Sequence, residues 1–192
     1  AREFESLLVA KVSEVRIGDP LDPTTQVGSI VSDQHDKKVS DLISTGLSQG
    51  ARLICGGMED APTGCFLSPT IFADVEDDMS VAREEVFGPV LTIQTFDTFE
   101  EAIGMANDTR YGLAASVWTR DLEKALIAMR RIKAGRFWIN TTITGGPELP
   151  IGGFKESGIG RETGKYGVEE YTEIKSTHLQ LGRSKPRIWG QT

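Results

Sequence analysis

The sequence predicts an α/β fold in three layers, a mostly parallel sheet flanked by helices. Two observations carry this prediction. Short stretches rich in β-branched and aromatic residues alternate with stretches whose apolar residues recur at helical spacing. The extended stretches are also short and nearly continuous in apolar character, as strands become when helices cover both faces of a sheet. A third observation concerns function. Residues 141–164 hold seven glycines and two prolines, too many for regular structure. A loop of that length in a compact domain is usually functional.

Taken in order, the first helix carries Phe4, Leu7, Leu8, Val12 and Val15 on one face. Gly18-Asp19-Pro20-Leu21-Asp22-Pro23 breaks it, because proline cannot continue a helix. A second helix runs from a Ser32 cap to Ser48, with Val39, Leu42, Ile43 and Leu47 inward and Gly50 just past its end. Ala51–Cys55 is a strand, Gly56–Gly64 a loop, and Pro69–Val75 extended. Met79–Glu85 is a helical turn and Val90–Phe96 a strand. Thr98 caps a helix bearing Phe99, Ala102, Ile103 and Ala106. Ala114–Trp118 is a strand. Asp121 caps a helix with Leu122, Ala125, Leu126, Met129 and Ile132 inward, and Arg136–Asn140 is the next strand. After the glycine-rich loop come a turn around Tyr166–Tyr171, a strand near Ser176–Leu181 and a polar end.

Composition bounds the function. The chain has 192 residues, 39% apolar and 26% charged, which suits one large domain, or a domain with a tail, built around a real core. The net charge is -7 and the Lys and Arg residues are scattered, which excludes a basic nucleic-acid surface. No apolar run approaches the roughly 18 residues that cross a bilayer. Ala1-Arg2-Glu3-Phe4-Glu5 places charge where a signal peptide would be apolar. Two cysteines, Cys55 and Cys65, are too few for a disulfide framework and point to a reducing, cytoplasmic setting. Cys55, inside the apolar run Leu53–Gly57, reads as a buried structural thiol. His35 and His178 are far apart in sequence, and no metal-ligand cluster has the usual spacing.

Two motifs remain. In Glu84-Glu85-Val86-Phe87-Gly88-Pro89-Val90, a carboxylate can accept hydrogen bonds from two ribose hydroxyls while the aromatic packs on a flat ring. The plainer alternative is an acidic helix end followed by a core Phe. Leu149–Glu162 supplies glycines that let backbone approach a ligand closely. Its Gly153, Gly158 and Gly160 do not make a dinucleotide fingerprint, because no strand leads directly into them and no long apolar helix follows.

These motifs, in order, resemble the aldehyde dehydrogenase superfamily. The resemblance also rests on Asn107–Ala115, on Trp138-Ile139-Asn140, on Gly18-Asp19-Pro20 and on Tyr171–Lys175, and it covers essentially the whole chain. It implies the fold of that family's catalytic domain, incomplete here. The implied reaction is attack of a cysteine thiolate on an aldehyde, hydride transfer from the thiohemiacetal to NAD or NADP, and hydrolysis of the thioester to a carboxylic acid. The family's nucleophile lies in a Gly-Gln-x-Cys type motif that this sequence lacks, so neither cysteine is assigned to it, and the chain is expected to be inactive alone.

Residue by residue, the resemblance makes Glu85 the contact to the nicotinamide ribose and Phe87 the aromatic beside the nicotinamide. Thr141–Ile151, with Thr142 and Ile151 as its lining residues, matches the substrate-tunnel loop. Glu162 matches a catalytic-site glutamate that serves as a proton relay in several members; a solvated carboxylate is the plain alternative. Backbone carbonyls at Lys155 and Gly158 match those that coordinate a monovalent cation such as potassium in betaine-aldehyde-type members. Here the tunnel loop has no aromatic residue to face a quaternary ammonium, so the resemblance leaves the aldehyde open. It further implies a homo-oligomer, with residues 1–172 forming the C-terminal part of the catalytic domain and 173–192 an oligomerisation strand and tail. Two other readings stay open: a relative that passes the acyl group to CoA or phosphate, and a truncated paralogue serving as an assembly module.

Overall fold

The computed structural model describes residues 1–58 and 65–182. The elements follow the expected alternation: α1 (Arg2–Val12), α2 (Asp33–Ser48), β1 (Arg52–Gly57), β2 (Ser68–Ala73), α3 (Ser80–Arg83), β3 (Val90–Thr92), α4 (Phe99–Asn107), β4 (Tyr111–Gly112), β5 (Ala114–Val117), α5 (Leu122–Arg131), β6 (Arg136–Ile139), β7 (Phe154–Lys155) and α6 (Gly164–Glu169). The α/β class stands. Parallel pairing does not predominate: β2 pairs β3 and β5 pairs β6 in parallel, whereas β1–β2 and β4–β7 are antiparallel. The described strands form one three-stranded sheet, β1-β2-β3, and two two-stranded ones.

The helix starts are local chemistry. Ser32 accepts the His35 amide, and Asp121 accepts that of Lys124. Thr98 and Glu101 form a complete capping box at α4. Each side chain takes up an amide that the first turn leaves unpaired.

One core cluster holds the first part of the chain together. Val39 and Ile43 from α2 meet Phe72 from β2, Val81 from α3 and Val86 from the segment that follows it. Gly46 lies inside this contact, where an added Cβ would meet the Val81 side chain at 2.7 Å. Along β1 the register shifts twice against β2. Gly56 allows this bulge with φ 71°, and a Cβ there would run into the Pro69 carbonyl.

Three expected helix faces are corrected. In α1, Phe4 and Leu7 are exposed and Glu5 is the buried residue. Arg52 of β1 draws it in, donating from Nη2 to Glu5 at 2.9 Å and from Nε to Asp74 at 2.6 Å. In α2, Leu47 is exposed and Gly46 takes the inner position. In α5 the buried line is Ala125 and Ala128, while Leu122, Leu126 and Met129 stay exposed. Ala125 and Ala128 are the residues buried on the helix that packs against β5 and β6, and the longer apolar side chains lie outside that contact.

The strand expected near Ser176–Leu181 does not form within this chain. Residues 173–182 belong to no helix or ladder and lie exposed. A strand needs a neighbour's backbone, and none of the described residues offers one there.

Candidate functional site

The Glu84–Val90 segment links α3 to β3 and is held from several sides. Val86 is buried in the core cluster. The Thr70 amide donates to the Pro89 carbonyl at 2.7 Å, setting the entry to β3. The Phe87 carbonyl lies 2.7 Å from His35 Nε2, which must carry its proton there to donate. The two rings also meet edge to face at 6.0 Å. Phe87 itself takes φ 54°, a left-handed conformation that costs a non-glycine residue energy. The residue is 74% exposed. The expectation of a core Phe as the plain alternative therefore fails: the buried residue is Val86.

The two glutamates of the motif have different partners. Glu84 pairs with Arg110 at 2.8 Å. Glu85 is exposed and has no hydrogen bond or ion pair with any described residue. An unpaired carboxylate beside an outward aromatic is chemically free to accept hydroxyl donors.

The glycine-rich loop is held mainly by its own backbone. Ile151 and Glu162 exchange both hydrogen bonds of an isolated bridge, at 2.8 and 2.7 Å. Thr163 Oγ1 donates to the Leu149 carbonyl at 2.5 Å, and the Gly164 amide donates to Pro147 at 2.7 Å. Gly135 passes so close to Gly152 that a Cβ would run into its carbonyl. Near the loop's start, Arg136 and Trp138 Nε1 both donate to the Thr144 carbonyl, at 2.9 and 2.8 Å.

These bonds place the predicted residues in three groups. Glu85 and Phe87 share the first segment. Ile151 and Glu162 are bridge partners, so the expected tunnel residue and the expected relay glutamate stand side by side along an open cleft that Leu113, Pro147, Val168 and Tyr171 also line. The Glu162 carboxylate is exposed. Lys155 lies in β7, opposite Tyr111 of β4, and Gly158 follows the turn after it; their φ values are 54° and 118°. The Lys155 side chain is spent on structure, since Nζ donates to the Asn107 and Thr109 carbonyls at 2.9 Å each. Thr142 is exposed in the loop and meets none of the three groups through any described contact.

The two cysteines stand apart from these groups. Cys55 is half-buried rather than buried, and both thiols are free. Cys65 Sγ donates to Asp33 at 2.7 Å, and that hydrogen bond to a carboxylate pushes its pKa up, away from the reactive thiolate. Among the described residues no group of three or more His, Cys, Asp or Glu side chains gathers as a metal site, and no helix is long and apolar enough to cross a membrane.

Sequence reasoning missed His35, Arg110 and Arg83. Each meets its partner across 25 to 52 residues, and no local pattern signals such a pair. Arg83 donates to Asp108 and its hydrogen bond holds that carboxyl below the usual carboxylate range.

A mixed α/β scaffold that presents an acidic–aromatic segment and a backbone-bonded glycine-rich loop matches one family. The model of the aldehyde dehydrogenase family covers residues 1–177, and the chain belongs to that family. It is 46% identical over 179 residues to a betaine aldehyde dehydrogenase of Cereibacter sphaeroides, an alignment that covers 93% of this chain and 37% of the relative. Among solved structures it is similar to an NAD-dependent aldehyde dehydrogenase from Sinorhizobium meliloti, with 48% identity, a TM-score of 0.90, and coverage of 97% of this chain and 37% of that one. A Mycobacterium tuberculosis aldehyde dehydrogenase complexed with NAD+ gives 43% identity and a TM-score of 0.87, over 95% of this chain and 38% of that one. The chain thus spans a little over a third of the length of these relatives.

Proposed function

We propose that residues 1–192 are part of an NAD-dependent dehydrogenase that oxidises an aldehyde to a carboxylic acid, with the cysteine nucleophile supplied from outside these residues. The observation that carries this reading is Glu85: a carboxylate without a partner among the described residues, next to an outward Phe87 on a segment anchored in the core. Two adjacent ribose hydroxyls match its acceptor capacity, and the exposed ring suits a flat heterocycle. NAD, when bound, accepts the hydride. This chain's own part is to hold the ribose through Glu85, limit the ring's freedom through Phe87, and line the aldehyde's approach with Thr142 and Ile151. Glu162, fixed by its bridge to Ile151, stands exposed to water and suits proton relay. The Lys155 and Gly158 carbonyls would hold a monovalent cation such as potassium.

Residues 1–192 alone would neither oxidise aldehydes nor bind NAD tightly. The two ribose hydrogen bonds to the Glu85 carboxylate contribute about 1.5–3 kcal/mol each, which together still fall short of the roughly 8 kcal/mol of micromolar affinity. Calorimetry on the isolated chain would detect no micromolar binding, whereas the full-length enzyme would reduce NAD across an aldehyde panel. Micromolar binding by the isolated chain, or an inert full-length protein, overturns the reading.

The tail belongs to the same proposal. In this reading residues 1–172 form the C-terminal part of the catalytic domain and 173–192 an oligomerisation strand and tail, of which 183–192 lie outside the described residues. Thr177–Leu181 alternates polar and apolar residues and leaves Leu179 and Leu181 exposed, which suits addition to a second copy's sheet edge in a homo-oligomer. Deleting residues 176–192 would lower the mass read by light scattering; an unchanged oligomeric state refutes the assignment. Two free thiols suit a cytoplasmic setting.

A further inference from the structure

We propose that Arg110 is a positioning residue that decides which of the two adjacent glutamates is available to the cofactor and ties the Glu84–Val90 segment to the glycine-rich loop. This rests on the reading of Glu85 as the ribose contact. The Arg110 guanidinium donates from Nη2 to Glu84 Oε2 at 2.8 Å. Its Nε stands 3.7 Å from Glu156 Oε2, and its backbone carbonyl accepts the Glu156 amide at 3.0 Å. It also packs over its own neighbour's ring, Tyr111, at 5.0 Å.

Two adjacent carboxylates of equal basicity would compete for one pair of hydroxyls and repel each other. Arg110 occupies Glu84, and Glu85 is left as the acceptor without a partner among the described residues. A second ion pair runs alongside in the opposite sense, from Arg83 to Asp108 at 2.8 Å. Residues 83 and 84 therefore present plus then minus to a minus then plus at 108 and 110. A slip of one residue would set like charges together, so the pairs act as a register lock. Lys155 closes the arrangement from the loop side through the Asn107 and Thr109 carbonyls. Residues 107–110 thus take contacts from both motifs.

The Arg110–Glu84 pair is about half exposed on both sides, so its effect on global stability is small. Its consequence is local: where the Glu85 carboxylate stands.

The test uses the full-length enzyme with Arg110→Gln, Glu84→Gln and the double variant. Wild-type NAD reduction checks the function first, and every comparison is made to it. Each single variant should raise the KM for NAD by about threefold to fivefold, the scale of one exposed ion pair, and leave the KM for the aldehyde unchanged. The double variant should be no worse than either single one, because both remove the same pair. Hydrogen exchange provides a readout independent of activity. In Arg110→Gln, amides of residues 84–88 and 154–158 should exchange faster together while those of β2 stay protected. If Arg110→Gln fails to fold, Glu84→Gln removes the same pair from the other side. Unchanged NAD KM overturns the proposal in an active enzyme, and so do additive effects of the two substitutions. Should the wild type prove inert, the function fails by itself, and uncoupled exchange in the two segments overturns the positioning role.

Discussion

The regions before and after Ile103 are built by different means. Before it lie Val39, Ile43, Phe72, Val81, Val86 and the rest of the core cluster. After it, Ala125 and Ala128 are the only buried apolar side chains among the described residues. The β5 and β6 strands are at best half-buried, and the glycine-rich loop is held by hydrogen bonds that mostly join backbone to backbone or side chain to backbone. Apolar packing makes the first region stiff, and satisfied polar geometry orders the second. The candidate site draws on both. Glu85 and Phe87 ride on the packed region, whereas Ile151, Glu162, Lys155 and Gly158 belong to the bonded one. A strained outward Phe87 is tolerable where the core behind it is firm, and close backbone approaches are easiest where glycine replaces side chains.

The contrast is broken most directly at Phe72. It is fully buried, so Phe72→Ala should cost about 3–5 kcal/mol, while Leu126→Ala, at a partly exposed position, should cost under about 1 kcal/mol. Urea unfolding of both variants checks this, and equal losses would show that the second region has a core of comparable worth. Glu85→Gln in the full-length enzyme sharpens the contrast from the functional side. It keeps shape but weakens a charge-assisted contact of about 1.5–3 kcal/mol. The expected result is a kcat lower by about tenfold with unchanged thermal stability. A wild-type kcat and KM for NAD would leave Glu85 as a solvated carboxylate.

Thr98→Ala removes half of a capping box between the two regions and should cost about 1 kcal/mol, read as a lower urea midpoint with normal NAD kinetics. The smallest effect has the opposite sign. Phe87→Gly relieves a positive φ and gives up little buried area, so stability should rise by about 0.5–1 kcal/mol. The KM for NAD should rise with it, since the ring is lost. A variant that is both more stable and unimpaired would deny Phe87 its place beside the cofactor.

Thr98, Asp121 and Ser32 were legible as caps because a cap is satisfied within three residues of itself. The order of the longer helices and strands was legible for the same reason, since hydrophobic spacing is a local property of the chain; the two-residue strands β4 and β7 were not. The acidic–aromatic segment and the glycine-rich loop stood out as motifs, and several motifs in one order sufficed for the family. The facing of α1 and α5 was not legible. Periodicity reports that a helix has two faces, but Arg52 pairs with the inward Glu5, and α5 buries Ala125 and Ala128 while Leu122 and Met129 stay exposed. Nor could spacing reveal that Arg110 takes Glu84 and leaves Glu85 unpaired among the described residues, or that Ile151 and Glu162 are bridge partners. Those choices depend on which distant segments the fold brings within hydrogen-bond reach, a range of about 3 Å that the linear order of residues does not encode.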